Sequence, residues 1–179
     1  SVAHEKWPHV SLTTAIAVAD MLAEFAPDET VGLKWPNDVF MNGRKICGIL
    51  VEPPKGSISE LVIGVGINVA NSLSKAPQEV RKIATSIVDE TDNEFSPTDV
   101  LLKFLQHFET LIRNLGSESL NLNERWQQQC TLTGHLISLE SGDRQIAGLC
   151  RGISDTGAIN VETDGVTRSW YGGIVRRIE

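Results

Sequence analysis

The chain has 179 residues, of which 41% are hydrophobic and 22% charged, the balance of a soluble protein with one domain, or one domain and a small appendage. The net charge of −7 argues against broad nucleic-acid binding, which needs a basic stripe to neutralise phosphates; pairs such as Arg81-Lys82 and Arg176-Arg177 read as solvated surface. No stretch reaches the apolar length that crosses a bilayer, and the opening SVAHEKWPHV lacks a signal-peptide layout, so the cytoplasm is the expected location.

Leu12, Ala15, Ile16, Ala19, Leu22, Ala23 and Ala26 recur at helical spacing, with Pro8 in the first turn and Pro27 closing the run. Residues 30–34 read as a short strand. Pro36 pushes Trp35 towards extended backbone, and Asn37-Asp38 adds turn chemistry. Residues 39–41 and 45–51 read as strands joined by Asn42-Gly43, a strong hairpin signal. Pro53-Pro54 and Lys55-Gly56 break the chain before a third strong strand over 58–69.

Residues 80–88 read as a short helix. A longer one is expected to start at Ser96 as the cap, with Pro97 in the first position and Asp99 near its positive end. Its stripe is Leu101, Phe104, Leu105, Phe108, Leu111, Ile112 and Leu115, and Gly116 ends it. Residues 120–129 predict one more helix. After Cys130, short apolar runs are separated by Ser141-Gly142, Thr156-Gly157, Asp164-Gly165 and Gly172-Gly173. Regular turn signals of this kind predict a small all-β barrel of about five strands, with a boundary near Cys130.

Cys47, Cys130 and Cys150 form no CxxC pair and read as buried thiols in a reducing compartment. His4, His9, His107 and His135 have no metal-ligand spacing, and no GxSxG, Walker or GxGxxG motif occurs.

The candidate chemistry lies between Lys34 and Asn68. Alternation from Leu61 to Val69 puts Leu61, Ile63, Val65, Ile67 and Val69 on a buried face, and Val62, Gly64, Gly66 and Asn68 on the other. Two glycines and an asparagine in a row leave a flat strip, on which a planar ligand could lie while the amide reads a donor–acceptor edge. The competing reading, equally weighted from this strand alone, is close packing of a helix on the sheet. Ile46, Gly48 and Leu50 form a similar strip next door. Lys34 ends an apolar strand, where an ammonium needs an anion; Asp38 supplies one in a structural pair, and a phosphate-bearing ligand is the functional alternative. Lys45 sits at a hairpin end, where a solvated turn is the commoner reading.

KWPND at 34–38, RKICGILVE at 44–52 and GVGIN at 64–68 resemble the successive motifs of bacterial biotin protein ligases. Arg125-Trp126, RGIS at 151–154, DTGAI at 155–159 and WYGGIV at 170–175 are similar to that family's C-terminal region. The resemblance covers essentially the whole chain. It implies an α+β fold: a mixed β-sheet with packed helices, of the biotin/lipoate ligase and class II synthetase kind, followed by a small SH3-like barrel. Residues 1–130 would then be the C-terminal part of a catalytic domain and 131–179 the barrel.

The resemblance implies ATP-dependent, Mg²⁺-assisted ligation of biotin, through biotinyl-5′-AMP, to a lysine of a biotin carboxyl carrier protein or domain of a biotin-dependent carboxylase. No nucleic acid or membrane partner is expected, and exposed sheet edges leave room for a homodimer. By resemblance Lys34 meets the adenylate phosphate, and Asp38 lies beside the ATP and metal site with Asn37 as its turn partner. Lys45 reaches the biotin acyl end, Gly48 and Leu50 line the biotin slot, Gly64 and Gly66 floor it, and Asn68 reads adenine. Simple alternation turns Lys45 away from Gly48 and Leu50; a bulge or twist near the hairpin would reconcile them. The family's GRGRxG-type loop, its earlier Ser/Thr-Asn segment and a biotin-pocket Gln do not occur in this sequence, nor does the DNA-binding domain of repressor-type members. A non-catalytic biotin-binding or regulatory fragment is therefore an alternative expectation, and a lipoate ligase a weaker one.

Overall fold

The computed structural model describes residues 7–57, 60–91, 93–115 and 121–178. It begins with α1 (Trp7–Phe25), followed by β1 (Val31–Lys34), β2 (Asp38–Met41), β3 (Arg44–Glu52) and β4 (Val62–Ile67). These strands form one sheet in the order β1-β2-β3-β4, with every neighbour antiparallel. Its parallel component is two isolated bridges, Leu33 with Cys130 and Lys45 with Ala84. The β2–β3 hairpin turns at Asn42 and Gly43, both with positive φ (49° and 77°), the conformation that Asn-Gly adopts at least cost.

Helices α2 (Gln78–Ile83), α3 (Ile87–Thr91), α4 (Pro97–Arg113) and α5 (Leu122–Gln129) follow. The single helix expected over 80–88 is thus two, parted where Ala84 bridges to Lys45 and the Thr85 N–H donates to the Lys45 carbonyl at 2.9 Å. Ser96 precedes α4, but its side chain makes no capping bond. The α4 stripe is narrower than its sequence suggests: Val100, Phe104 and Leu111 are buried, whereas Leu101 and Leu105 are exposed. Gly116 and Leu120, expected at helix ends, and Ile58, expected to open the third strand, lie outside the described residues.

Helix α1 packs on β1, β2 and β3, and also meets α4 and α5. Neighbours on several sides explain why Thr13, Thr14, Ala17, Val18 and Met21 are buried along with the predicted stripe. Ala23, placed on that stripe, is exposed instead. One guanidinium nitrogen of Arg125 in α5 donates to both carboxylate oxygens of Asp20 in α1, at 2.7 and 2.8 Å, a charge-assisted contact that ties the two helices together.

The last strands are β5 (Leu136–Ser141), β6 (Arg144–Ile153), β7 (Ile159–Thr163), β8 (Val166–Trp170) and β9 (Ile174–Arg177), in the order β8-β7-β6-β5-β9. Ladder register slips by one residue between Cys150 and Ile153, where Gly152 adopts φ +89°; a bulge of this kind bends a strand and lets a small sheet curl. Ile137, Leu139, Cys150, Ile159, Val161 and Val175 are buried and continuous with the core beneath the first sheet.

Hydrogen bonds tie α1 and the first sheet to the chain that follows α5. The Trp35 indole donates to the Gly157 carbonyl at 3.0 Å, the Thr131 N–H donates to the Leu33 carbonyl at 2.9 Å, and His9 Nε2 meets the Asp155 carbonyl at 2.7 Å. Trp35 is only 3% exposed, so the carbonyl it satisfies has little recourse to water. Trp35→Phe is expected to cost about 1–3 kcal/mol of stability, seen as a lower urea midpoint with an unchanged slope; an unchanged midpoint would show that this bond contributes nothing.

Candidate functional site

The KWPND run is the β1–β2 hairpin itself. Lys34 pairs across the turn with Asp38, leaving Trp35, Pro36 and Asn37 as the connection, and the Trp35–Pro36 peptide is cis. The motif divides its labour by direction. Trp35 is buried towards the second sheet. Pro36 offers its carbonyl to the Ser11 hydroxyl at 3.1 Å. Asn37 clasps Ile49 of β3 twice: its Nδ2 donates to the Ile49 carbonyl at 2.7 Å, and the Ile49 N–H donates to its carbonyl at 2.9 Å. Lys34 and Asp38 are left on the sheet face turned away from α1.

Register carries that face across the whole sheet. Lys34 is opposite Asp38, Asp38 opposite Gly48, and Gly48 opposite Gly66. Directly opposed residues project to the same side, so one row runs from cation to carboxylate to two glycines over all four strands. Three interstrand steps make it about 14 Å long. A second row sets Leu50 opposite Gly64. Leu50 is 58% exposed, and a Cβ placed on Gly66 would meet nothing closer than 3.9 Å, the Gly48 carbonyl. The glycines therefore leave the face open, and no helix packs there among the described residues. The buried face is less buried than its pattern implies: Ile63, Val65 and Ile67 pack on the core only partly covered.

Lys45 joins this face through a β-bulge. Val39 pairs with Cys47 but Phe40 pairs with Lys45, so Ile46 has no partner on β2. The extra residue changes the parity of the strand and brings Lys45 to the Gly48 side. Its Nζ lies 2.5 Å from Asp38 Oδ1 and 3.2 Å from where a Gly48 Cβ would stand. Ile46, expected in the open strip, is buried at 1% exposure. Asp38 therefore pairs with Lys45, not with Lys34. Lys34 has no ion-pair partner among the described residues; its Nζ stands 5.6 Å above the Phe40 ring, a cation–π contact. Phe40, two residues along β2 from Asp38, is a member of this face that the sequence reading passed over, although period-two alternation could have found it.

Asn68 lies at the end of β4 with its side chain engaged. Its Nδ2 donates to the Thr85 carbonyl at 2.9 Å and its Oδ1 accepts from Asn71 at 3.0 Å. Beside the hairpin end a cavity of about 420 Å³ is lined by Arg44, Arg81, Lys82, Ala84 and Asp89, among others; Arg44 is held there by Glu90 at 2.6 Å. Behind the face lies Cys47, whose thiol is pushed up to about 12, first by burial and then by the Asp38 carboxylate, with Lys45 opposing. Burial likewise pushes Cys150 to about 11.

The site is thus an open, glycine-floored antiparallel sheet with two lysines, followed by a small curled β-unit, and the comparisons give its class. The biotin/lipoate A/B protein ligase family matches residues 3–68, and the biotin protein ligase C-terminal domain matches 134–176. The chain belongs to the biotin protein ligases. It is 32% identical over 175 residues to the bifunctional ligase/repressor BirA of Escherichia coli, covering 92% of this chain and 51% of that protein. It is 30% identical over 166 residues to the biotin–[acetyl-CoA-carboxylase] ligase of Mycobacterium tuberculosis, covering 91% of this chain and 60% of that one. The chain thus spans about half the length of the first of these relatives, and somewhat more of the second. Biotin protein ligase from Aquifex aeolicus superposes with a TM-score of 0.86 at 25% identity, over 97% of this chain and 77% of that one. The same enzyme in complex with biotin and ATP gives 0.83 at 26% identity, over 96% and 72%.

With thiols held at about 12 and 11, Cys47 and Cys150 are expected to resist alkylation at pH 8, where little of either is thiolate. Half-buried Cys130 should label first in mass spectrometry of the native protein. Rapid labelling of Cys47 without unfolding would contradict the burial described.

Proposed function

We propose that this chain is the sheet and C-terminal unit of an enzyme that ligates biotin, through biotinyl-5′-AMP, to a lysine of a biotin carboxyl carrier protein or domain. The observation that carries the reading is the cross-strand row from Lys34 through Asp38 and Gly48 to Gly66. It supplies cations at one end and bare backbone at the other, which suits an elongated ligand with an acidic centre.

In the first step the biotin carboxylate attacks the α-phosphorus of ATP, and pyrophosphate leaves. In the second the carrier lysine amine attacks the acyl carbon, an amide forms, and AMP leaves. Negative charge gathers on phosphate oxygens and then on the acyl oxygen. Fixed cations stabilise both without reorganising. Lys34, with no carboxylate partner among the described residues, takes the phosphate; Lys45 takes the acyl end of biotin. Gly48, Leu50, Gly64 and Gly66 form the biotin slot, with Leu50 the exposed apolar contact. Asp38 holds Lys45 between turnovers. Asn37 contributes to the nucleotide end by fixing the strand that carries Asp38, since its Nδ2 is engaged by Ile49.

ATP and biotin are substrates in this reading. Mg²⁺ finds no protein cage: the described residues contain no group of three His, Cys, Asp or Glu that could hold a metal, and Asp38 is engaged by Lys45. The ion would arrive with the nucleotide phosphates. No helix among the described residues is long and apolar enough to cross a membrane; a cytoplasmic location is part of the proposal. We also propose a functional division at 130/131, between catalytic part and barrel. The outer edges of β4, β8 and β9 carry no strand partner among the described residues, which leaves room for a second copy.

Incubation of the full-length protein with ATP, Mg²⁺, biotin and an acceptor domain should give avidin-detectable carrier; failure to label any carrier sinks the reading. Lys34→Ala and Lys45→Ala are each expected to lower adenylate formation by about 10²–10³-fold, and full activity in both would overturn their roles. Gly66→Ala has room for its methyl, so it should fold with a near-normal melting temperature yet weaken biotin about tenfold; unchanged affinity would remove Gly66 from the floor.

A further inference from the structure

Asp38 lies between two ammonium groups and answers only one of them. Lys34 stands directly across from it on β1, yet the carboxylate is taken by Lys45 of β3. The bulge makes this possible by bringing Lys45 opposite Phe40, two residues along β2 from Asp38 and on the same face. Lys34 is left to find another counter-group, and an unheld lysine keeps most of its rotamer freedom. What it meets is the Phe40 ring, whose centroid lies 5.6 Å from Nζ. The face of an aromatic ring is negative and attracts an ammonium placed over it.

The strands around the ring set its place. Val39 and Met41, its neighbours in β2, are buried, which turns Phe40 to the open face. In register Phe40 is opposite Gly32 on one side and Lys45 on the other. Gly32 has no side chain, and Thr131 Cγ2 stands 2.5 Å from where its Cβ would be, so the Thr131 methyl fills that place. Thr131 is itself pinned to β1: its N–H and its hydroxyl both donate to the Leu33 carbonyl, at 2.9 and 3.2 Å. The ring is thus flanked in its row by a methyl and a lysine stem. It is not one of the half-buried apolar side chains that pack on the core, so core packing does not account for an aromatic residue here.

We propose, on the ligase reading above, that Phe40 is a positioning residue for Lys34: its ring holds the ammonium over the open face, apart from Asp38, so that a phosphate meets a cation already in place. A ring suits this task better than a carboxylate does. It attracts the ammonium without neutralising it, and it leaves the N–H donors free for phosphate oxygens. A carboxylate in the same role would have to be displaced by the incoming anion. The two lysines are therefore told apart by their counter-groups, Lys45 by Asp38 and Lys34 by Phe40. Replacing the ring with an aliphatic chain loosens Lys34 and leaves the Lys45 pair at the biotin end intact.

Two measurements on the full-length protein test this. The first needs no substrate. In NMR spectra of protein carrying isotope-labelled lysine, the ε-protons of Lys34, assigned with Lys34→Arg, should be shifted upfield by the ring current of Phe40 and return to the ordinary lysine position in Phe40→Leu. The second is adenylate formation. Phe40→Leu is expected to raise the KM for ATP by about three- to tenfold, the scale of a cation–π contact with a small misplacement, while biotin affinity by calorimetry without nucleotide stays within about twofold. Phe40→Tyr and Phe40→Trp keep a ring face and should hold the KM within about twofold of wild type. Pentafluorophenylalanine in place of Phe40 keeps the shape, reverses the charge of the ring face and should behave as leucine does. In a Lys34→Ala background, Phe40→Leu should cost less than about twofold more, because both remove the same contact. Thermal melts check folding; if Phe40→Leu unfolds, the fluorinated variant and the wild-type ring-current shift carry the test. An unshifted Lys34 in wild type overturns the proposal, as does an unchanged KM for ATP in the folded variants, a matching loss of biotin affinity, or full additivity with Lys34→Ala. A wild type that forms no adenylate and labels no carrier overturns the ligase reading itself, an outcome distinct from an active wild type with insensitive Phe40 variants.

Discussion

Lys45 reaches Asp38 because β3 carries one residue more than β2 can pair. Lys45 and Gly48 lie three positions apart, an odd offset, so regular pleating would send their side chains to opposite faces. The unpaired Ile46 changes the parity. Everything proposed for the face follows from that slip: without it the floor would be glycine and leucine, with a lone lysine beyond Phe40. The pair it creates is half-exposed, with Lys45 at 43% and Asp38 at 21%, and pairs of that kind add about 0–1 kcal/mol to stability. The ion pair orients the lysine; the backbone bond from Thr85 holds the bulge.

KWPND is dense because each residue of one tight hairpin faces a different task. Trp35 fills the seam to the second sheet, Pro36 meets Ser11 of α1, Asn37 extends the ladder to β3, and Lys34 and Asp38 face the opening. A shift of one residue would put the indole in the site and a charge in the core. That coupling links specificity of fold to specificity of site more tightly than either glycine strip does.

Much of this was legible in the sequence, where periodicity or turn chemistry is local. The Asn42-Gly43 hairpin, the alternation of 62, 64 and 66 against 63, 65 and 67, and five short strands after Cys130 all follow from neighbours along the chain. What escaped depends on partners far away. Ala84 interrupts a helical run because Lys45, 39 residues earlier, takes it into a bridge. Helix α1 is buried on several sides because β-strands, α4 and α5 all pack on it, which no single stripe announces. The α4 stripe was drawn too wide because only one edge of it, through Val100, Phe104 and Leu111, reaches the core. The bulge is the instructive case: the odd spacing of Lys45 and Gly48 flagged a conflict, but its solution lies in register, which the sequence does not display.

The stitching of the two sheets bears on how such a protein can be rearranged in evolution. A different second sheet joined after α5 would have to bring its own acceptor for the Trp35 indole, its own donor for the Leu33 carbonyl and its own carbonyl for His9. A foreign module that folds well by itself would still leave these groups stranded. Exchange at this junction is therefore hindered by a few polar atoms, the buried Trp35 indole above all, and lineages that recombine here should carry the hairpin and the Gly157 turn together as one heritable block.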